Sequence, residues 1–300
     1  MEPMDVVVRS SVPAQTGRSR AQQTDELALV IAWSADEPHR VGEVALLSAQ
    51  YPLHVLGGET KTRERLAHGN GLGRQLMFFR HRPPAVRDSD PAPTGRLEQQ
   101  IPMLPQRLLE LRPLKHAVFV KNVGSLPAYL NGSKLVEAPV VPGDTLYLEN
   151  RLVLYCTRRA PQMPSLTKYP VEQAPFFGLA DDDGLVGESP VAWAARESRI
   201  SHHEVGVEPP LQQRMEDIPL LVNHLLRCYA LRADVDLSRF FCDGLPRLHP
   251  LFVVQLLQRR WGPTQSDLAE LLLQAVAHSR GGVIGPLPEV VRTLGSIPLA

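Results

Sequence analysis

The chain has three cysteines, Cys156, Cys228 and Cys242, an odd number at wide spacing. That excludes a disulfide framework and a paired-cysteine zinc site, and a reducing cytoplasm is the simplest setting for such thiols. Net charge is missing as well: 32 Lys and Arg stand against 32 Asp and Glu. The whole molecule therefore has no field to draw in nucleic acid or anionic lipid, and any such binding requires a local patch. No run of about 18 apolar residues occurs, and the first 25 residues hold only Val6-Val7-Val8 in place of a signal-peptide core. The sequence predicts a cytoplasmic chain that is neither secreted nor membrane-spanning.

Motifs for chemistry are also scarce. No G-x-S-x-G elbow is present. Gly69-Asn70-Gly71-Leu72-Gly73-Arg74 lacks the G-x-G-x-x-G spacing and no helical pattern follows it, so it reads as a hairpin loop. His202-His203-Glu204 offers metal-ligand types, but adjacent histidines diverge by about 100° on a helix and face opposite ways on a strand, so one site rarely takes both. Asp181-Asp182-Asp183 has no phosphate loop with which to share magnesium and reads as a solvated linker end. Cys228 lies beside the apolar stripe of an amphipathic helix, the place of a half-buried structural thiol. These readings predict no enzyme, no cofactor and no metal.

Proline is plentiful, 28 of 300 residues against the ~5% average, and it ends helices and interrupts central strands, so long regular elements will be few. With 43% hydrophobic and 21% charged residues the composition is globular. The length is about twice that of a usual single domain and predicts two compact units rather than one large core.

The pattern changes near residue 160. Before it, apolar residues come in short runs: Leu27 to Trp33, Leu53 to Leu56, Leu76 to Phe79, Leu108 to Leu111, Ala117 to Val120, Thr145 to Leu148 and Leu152 to Cys156 each read as a strand. That many short strands predict a β-sandwich over residues 26–160, after a disordered tail at 1–25. Asn131-Gly132 marks a tight hairpin, and Pro142-Gly143-Asp144 a second turn. Residues 81 to 105 read as a long surface loop, and the Pro-rich stretch within 161–180 as a semi-rigid linker.

Residues 181–300 read as a small helical bundle. Ser189-Pro190 is an N-cap with proline at the first helical position, opening a helix through Trp193 and Ile200 that ends at the histidine pair. Ile218, Leu221, Val222, Leu225, Leu226 and Tyr229 form one apolar stripe. A further helix spans about Pro250 to Arg260. Another starts at Thr264, where Thr264 and Asp267 approximate a capping box and Gly281-Gly282 supplies the stop. The predicted class is α+β.

Val118 to Arg159 resembles the C-terminal half of a forkhead-associated (FHA) domain: a strand, a Gly-Ser turn, the Asn-Gly hairpin and a Pro-Gly-Asp turn into two closing strands follow in order. Arg40-Val41-Gly42-Glu43 extends the likeness upstream. The resemblance implies a phosphothreonine-reading protein-interaction module. Of that family's phosphate-binding positions, Gly58 stands in place of the arginine, Pro105 in place of the serine and Pro127 in place of the first asparagine. Ser125 survives, with the structural turn residues Asn131, Gly132, Gly143 and Asp144. Arg63, Arg65 and Arg107 are the nearest substitute cations, and solvated loop arginines are the plainer reading of all three.

Gly184-Leu185-Val186-Gly187-Glu188-Ser189-Pro190, Arg214-Met215-Glu216-Asp217-Ile218-Pro219-Leu220-Leu221 and Trp261-Gly262-Pro263 resemble pieces of a sigma-54-dependent activator of the AAA+ class, the last two belonging to its lid. Such an ATPase needs a glycine-rich loop ending in Gly-Lys-Ser or Gly-Lys-Thr, and none exists. Only about 25 residues separate Ser189 from Arg214, too few for a nucleotide-binding sheet, and Ser266 stands where the lid's nucleotide-sensing arginine belongs. Few residues follow Ala277, so no DNA-binding helix-turn-helix is expected. The combined expectation is a non-enzymatic adaptor that binds a protein partner, with an accessory subunit of sigma-54 activators as the alternative.

Overall fold

Short apolar and β-branched runs closed by Asn-Gly and Pro-Gly turns build strands, and these strands assemble into two stacked sheets. The computed structural model describes residues 25–57, 73–84, 86, 107–202, 208–232, 236–262 and 264–287. The strands are β1 (Glu26–Ser34), β2 (Val44–Leu47), β3 (Leu53–Gly57), β4 (Gly73–Gln75), β5 (Arg107–Pro113), β6 (Val118–Asn122), β7 (Ala128–Leu130), β8 (Ser133–Leu135), β9 (Glu137–Val140), β10 (Thr145–Leu148) and β11 (Leu152–Arg159). One sheet has the order β2-β1-β11-β10-β7-β8 and the other β4-β3-β5-β6-β9. Every pairing is antiparallel except β3 with β4.

Four helices follow: α1 (Pro190–His202), α2 (Ile218–Leu231), α3 (Pro250–Gln258) and α4 (Ser266–His278), with a two-residue hairpin, β12 (Phe241–Cys242) and β13 (Leu245–Pro246), before α3. The chain is thus a mixed α+β fold with sheets first and helices after. Among the described residues no helix is long and apolar enough to cross a membrane.

Strand pairing decides which side chains share a face. Leu27, Leu29, Ile31, Leu154 and Cys156 lie on one side of the six-stranded sheet, Ala28, Val30, Val44 and Tyr155 on the other. Both sets are buried. The second set faces the helices: Thr145, opposite Tyr155, accepts a bond from Gln258 Nε2 at 3.0 Å, and Arg159 pairs with Glu216 at 3.3 Å. The architecture is therefore three layers, sheet on sheet on helices. Burial on both faces explains why β1 reads as the unbroken run LALVIAW instead of an apolar and polar alternation.

The helices do not close around a core of their own. One contiguous cluster of buried side chains runs from Leu29 and Leu154 through Leu221 and Phe252 to Leu272. Trp33 Nε1 donates to Leu248 O at 3.0 Å, tying β1 to the segment entering α3. The stretch 161–180 is pinned at two buried points, Met163 and Tyr169, which pack against Trp193 of α1.

Several local expectations are corrected. Leu76 to Phe79 is not a strand. Leu76 N bonds Val55 O in one sheet and Phe79 bridges to Val44 in the other, so this extended segment crosses between the sheets and cannot pair continuously with either. The strands β2, β4, β7, β8 and β9 are additional, each of three or four residues. No capping box opens α4: its N-cap is Gln265 without a side-chain bond, and Thr264 Oγ1 instead meets Ser266 Oγ. The same helix stops at His278, where Ser279 bonds back to Ala275 O through both its amide and its hydroxyl, ahead of Gly281-Gly282.

Candidate functional site

The sandwich has two loop ends, and the residues singled out in the sequence divide between them. At one end β3 finishes at Gly57, which pairs with Arg107 at the start of β5. The turn 123–127 closes onto the same place: Val123 N and Gly124 N both donate to Leu108 O, at 2.9 and 3.1 Å. Gly124 is required there, because a Cβ would come within 2.9 Å of Arg107 O and Leu108 Cα. Asn122 braces the turn from inside, donating through Nδ2 to Leu126 O at 2.9 Å and accepting from Gly124 N at 3.2 Å. Ser125 stands exposed at the tip. Ser125 and Arg107 are thus brought to one end; Arg63, Arg65, Gly58 and Pro105 lie outside the described residues.

Arg107 is not a free cation. Its Nη1 meets Glu110 Oε1 at 3.3 Å, and the other oxygen of Glu110 lies 3.8 Å from Arg112. The neighbouring turn between β10 and β11 adds Glu149, whose amide donates to Pro127 O at 3.0 Å. Under that turn Tyr129 and Tyr147 stack with centroids 5.6 Å apart. Burial raises both phenols, and the Glu149 carboxylate adds to the rise. Asn122, Glu110 and Glu149 had no signal in the sequence beyond being polar residues near turns.

The other end holds the Asn-Gly and Pro-Gly-Asp turns. Asn131, at φ 49°, donates through Nδ2 to Asp144 Oδ1 at 2.6 Å and accepts from Thr145 N at 2.9 Å. Asp144 Oδ2 accepts from Val141 N at 2.7 Å. Asn131, Gly132, Gly143 and Asp144 therefore lock two turns together, away from Ser125.

A second polar assembly lies between the sheet and the helices. Glu188 accepts from Arg82 Nε and Nη2 at 2.9 and 3.1 Å, from Gly178 N at 2.9 Å and from Trp193 Nε1 at 3.1 Å. Arg80 and Arg82 cover Phe177, while Arg82 and Arg196 sandwich Trp193 at 5.0 and 4.5 Å. Asp217 accepts from Glu188 N, Ser189 N and Ser189 Oγ, and Ser189 Oγ accepts from Ala192 N, so the predicted N-cap of α1 is itself held by a carboxylate. Arg214 Nη1 donates to Val186 O at 2.8 Å, and its Nη2 pairs with Glu208. The segments 184–190 and 214–217, far apart in sequence, are thus one clasp.

The chemistry of these groups is structural. Burial pushes the Cys156 thiol up to about 12, far from a thiolate, and Tyr155 likewise to about 12, with Glu216 adding. Burial holds His81 down at about 4, and the charge of Arg159 pushes the same way. Cys228 is half-buried against His224 at 3.4 Å. Asp181 pairs with Arg196 at 3.0 Å, while Asp182 and Asp183 are exposed. Of the Gly69 to Arg74 run only Gly73 and Arg74 are described, in β4, and the side chains of His202-His203-Glu204 lie outside the described residues. Among the described residues no group of three or more His, Cys, Asp or Glu could hold a metal ion. Those described between Ser189 and Arg214 form α1 and a 3₁₀ turn at Leu211–Gln213, with no strand.

No protein-family model and no curated protein matches the chain. Among solved structures, the Rv0020c FHA domain is 12% identical, with a TM-score of 0.27, covering 47% of this chain and all of that one. The FhaA FHA domain complexed with the intracellular domain of Rv3910 is 13% identical at a TM-score of 0.24, over 43% of this chain and 98% of that one. An FHA domain analysed for phosphothreonine-dependent interactions is 14% identical at 0.24, over 45% and 96%. The similarity to FHA-domain-containing proteins is weak and partial, and no counterpart to an AAA+ or sigma-54 activator region emerges.

Proposed function

We propose that the chain is a non-enzymatic regulatory adaptor of bacterial signalling or transcription, cytoplasmic, that binds a protein partner through the Ser125 end of an FHA-like sandwich. One observation carries this reading: the six-stranded sheet is covered on one face by the second sheet and on the other by the helices. What the sandwich leaves for recognition is its loops and the outer face of the five-stranded sheet, and loops are the usual place for binding residues on a rigid scaffold. At the Ser125 end, the end of β3 at Gly57, the start of β5 at Arg107 and the turns after β6 and β10 converge, whereas at the other end Asn131 and Asp144 satisfy one another. A phosphothreonine-containing partner is what the sequence resemblance implies.

The test is site-specific photo-cross-linking of the full chain in cells. A cross-linking residue in place of Ser125 is expected to capture a discrete protein, and one in place of Gly143 to capture none. Equal capture from both positions would sink the reading.

A second reading, an accessory subunit of sigma-54-dependent activators, rests on the clasp between residues 184–190 and 214–217, since both segments carry that resemblance. Against it, α3 is buried along nearly its whole length on the sandwich. Adding the chain to an activator hexamer is expected to leave its ATPase rate unchanged; a saturable change would favour this second reading.

A further inference from the structure

A cleft opens where β1 ends, between the turn that follows β1, the start of α2 and the β12–β13 hairpin. Trp33, Val41, Pro219, Pro246 and Leu248 line it, together with Asn223. It holds about 30 Å³, room for about two waters or for the end of one side chain. The indole N–H of Trp33 is engaged by Leu248 O at 3.0 Å, so the ring offers the cleft only its π face. None of the nine lining residues is charged. The Asn223 carboxamide makes no hydrogen bond among the described residues, which leaves its donors and its acceptor available beside an apolar wall.

An aromatic face in an apolar groove suits an extended, proline-bearing peptide, and a free carboxamide can bond that peptide's backbone through both its N–H and its oxygen. The chain carries a segment of this kind. Leu294 to Ala300 reads LGSIPLA, without a charged side chain and with Pro298 between Ile297 and Leu299. The segment lies outside the described residues, but the point from which it departs is described. Ile284 bridges Leu248 of the cleft wall, its N–H donating to Arg247 O and its carbonyl accepting from His249 N, both at 2.9 Å. Leu287, three residues on, donates its amide to Gln255 Oε1 at 3.3 Å. Leu287 therefore stands within about 11 Å of the bridge, and Pro298 follows it at an extended reach of about 36 Å, enough to turn back to the cleft. An uncharged run with a proline at 10–17 is a competitor, but it precedes the start of β1, and Trp33 is about 23 Å along that strand.

We infer that this cleft binds an uncharged, proline-bearing peptide, and that residues 294–300 of the same chain are its resident occupant, with Pro298 against the Trp33 ring and the Asn223 carboxamide bonded to the segment's backbone. Reach and departure point select the segment, and the uncharged wall admits it. Tethering raises its effective concentration to the millimolar range, so a modest intrinsic affinity suffices. A free peptide of the same chemistry must then displace the segment in order to bind.

The experiment reads acrylamide quenching of tryptophan fluorescence in the full chain. Trp193 and Trp261 are 1% and 2% exposed, so the quenchable signal belongs to half-buried Trp33, and Trp33→Phe is expected to remove it. Pro298→Asp is expected to raise the quenching constant several-fold with the fold intact by circular dichroism, and Asn223→Ala to shift it in the same direction. The synthetic peptide LGSIPLA, added to the Pro298→Asp chain, is expected to restore the shielding, while the same peptide with aspartate in place of its proline does not. An equal quenching constant in the Pro298→Asp and unaltered chains overturns the inference. A rise on Pro13→Asp instead also overturns it and assigns the cleft to residues 10–17. Shielding that fades on dilution overturns it in favour of a second copy of the chain.

Discussion

At the scale of single residues, the structure is held by groups whose role depends on what lies opposite them rather than on their own type. Gly187 adopts φ 143°, and a Cβ there would run into the Asp217 carboxylate that holds Ser189, the N-cap of α1. Gly187→Ala is expected to lower stability by about 1 to 3 kcal/mol from backbone strain alone, with a further loss if Asp217 is displaced, read as a fall in the urea midpoint. His81 gives a pH prediction. Its pKa is held at about 4 in the folded chain against an ordinary 6.5, because it is buried edge-on to Phe79 and near Arg159. The unfolded chain therefore takes up the proton first as pH falls. The stabilising effect of neutral His81 is complete above about pH 6.5 and is lost progressively between 6.5 and 4. His81→Phe is expected to flatten the fall in unfolding temperature across that window; an unchanged slope would reject the assignment. Neither residue was legible in the sequence. Gly187 looked like part of a family motif, and His81 like a loop residue before two prolines, because Asp217, which lies against the first, and Arg159, which acts on the second, are more than 25 positions away.

At the scale of elements, legibility followed local pattern. The stripe from Ile218 to Tyr229 is α2, and Ser189-Pro190 opens α1, since helix periodicity and capping are properties of adjacent residues. β1, β3, β5, β6, β10 and β11 were also readable as apolar runs. β2, β4, β7, β8 and β9 were not, and of these β4 and β8 have little apolar content and are stabilised by the neighbour they pair with. α3 is the element whose environment matters most: eight of its nine residues, Pro250 to Leu257, are buried between the sheet and the other helices. Phe252→Ala there should cost about 3 to 5 kcal/mol, measured by chemical denaturation, since a void between three layers cannot readily collapse. A cost below 1 kcal/mol would mean that the helical layer is only loosely seated.

At the scale of the whole molecule, one buried cluster of side chains runs from the sheets into the helices. The clue was present in the unbroken apolar run of β1, which a sandwich with one solvated face would not carry. A fragment ending at residue 160 would expose Ala28, Val30, Val44 and Tyr155 together with the unpaired guanidinium of Arg159. Such a fragment is expected to bind a hydrophobic dye and to sediment as aggregates, while the full chain does neither; a monodisperse fragment with dispersed amide resonances would refute this. The candidate site was legible only in part. Ser125 and Arg107 could be found from turn spacing, but the neutralisation of Arg107 by Glu110 and the placement of Glu149 beneath the turn arise from strand register, which no single-residue pattern encodes.

The pairing of β1 with β11 has a consequence for synthesis. One edge of the first strand can pair early with β2, but the other edge, Leu27 to Ile31, finds β11 only when Leu154 to Arg158 has emerged, and its indole anchor at Trp33 waits longer still, for Leu248. At about 5 to 20 residues per second, a ribosome leaves that second edge without its mate for on the order of ten seconds. Yield in a heterologous host should thus depend on chaperone supply and on growth temperature more than on promoter strength.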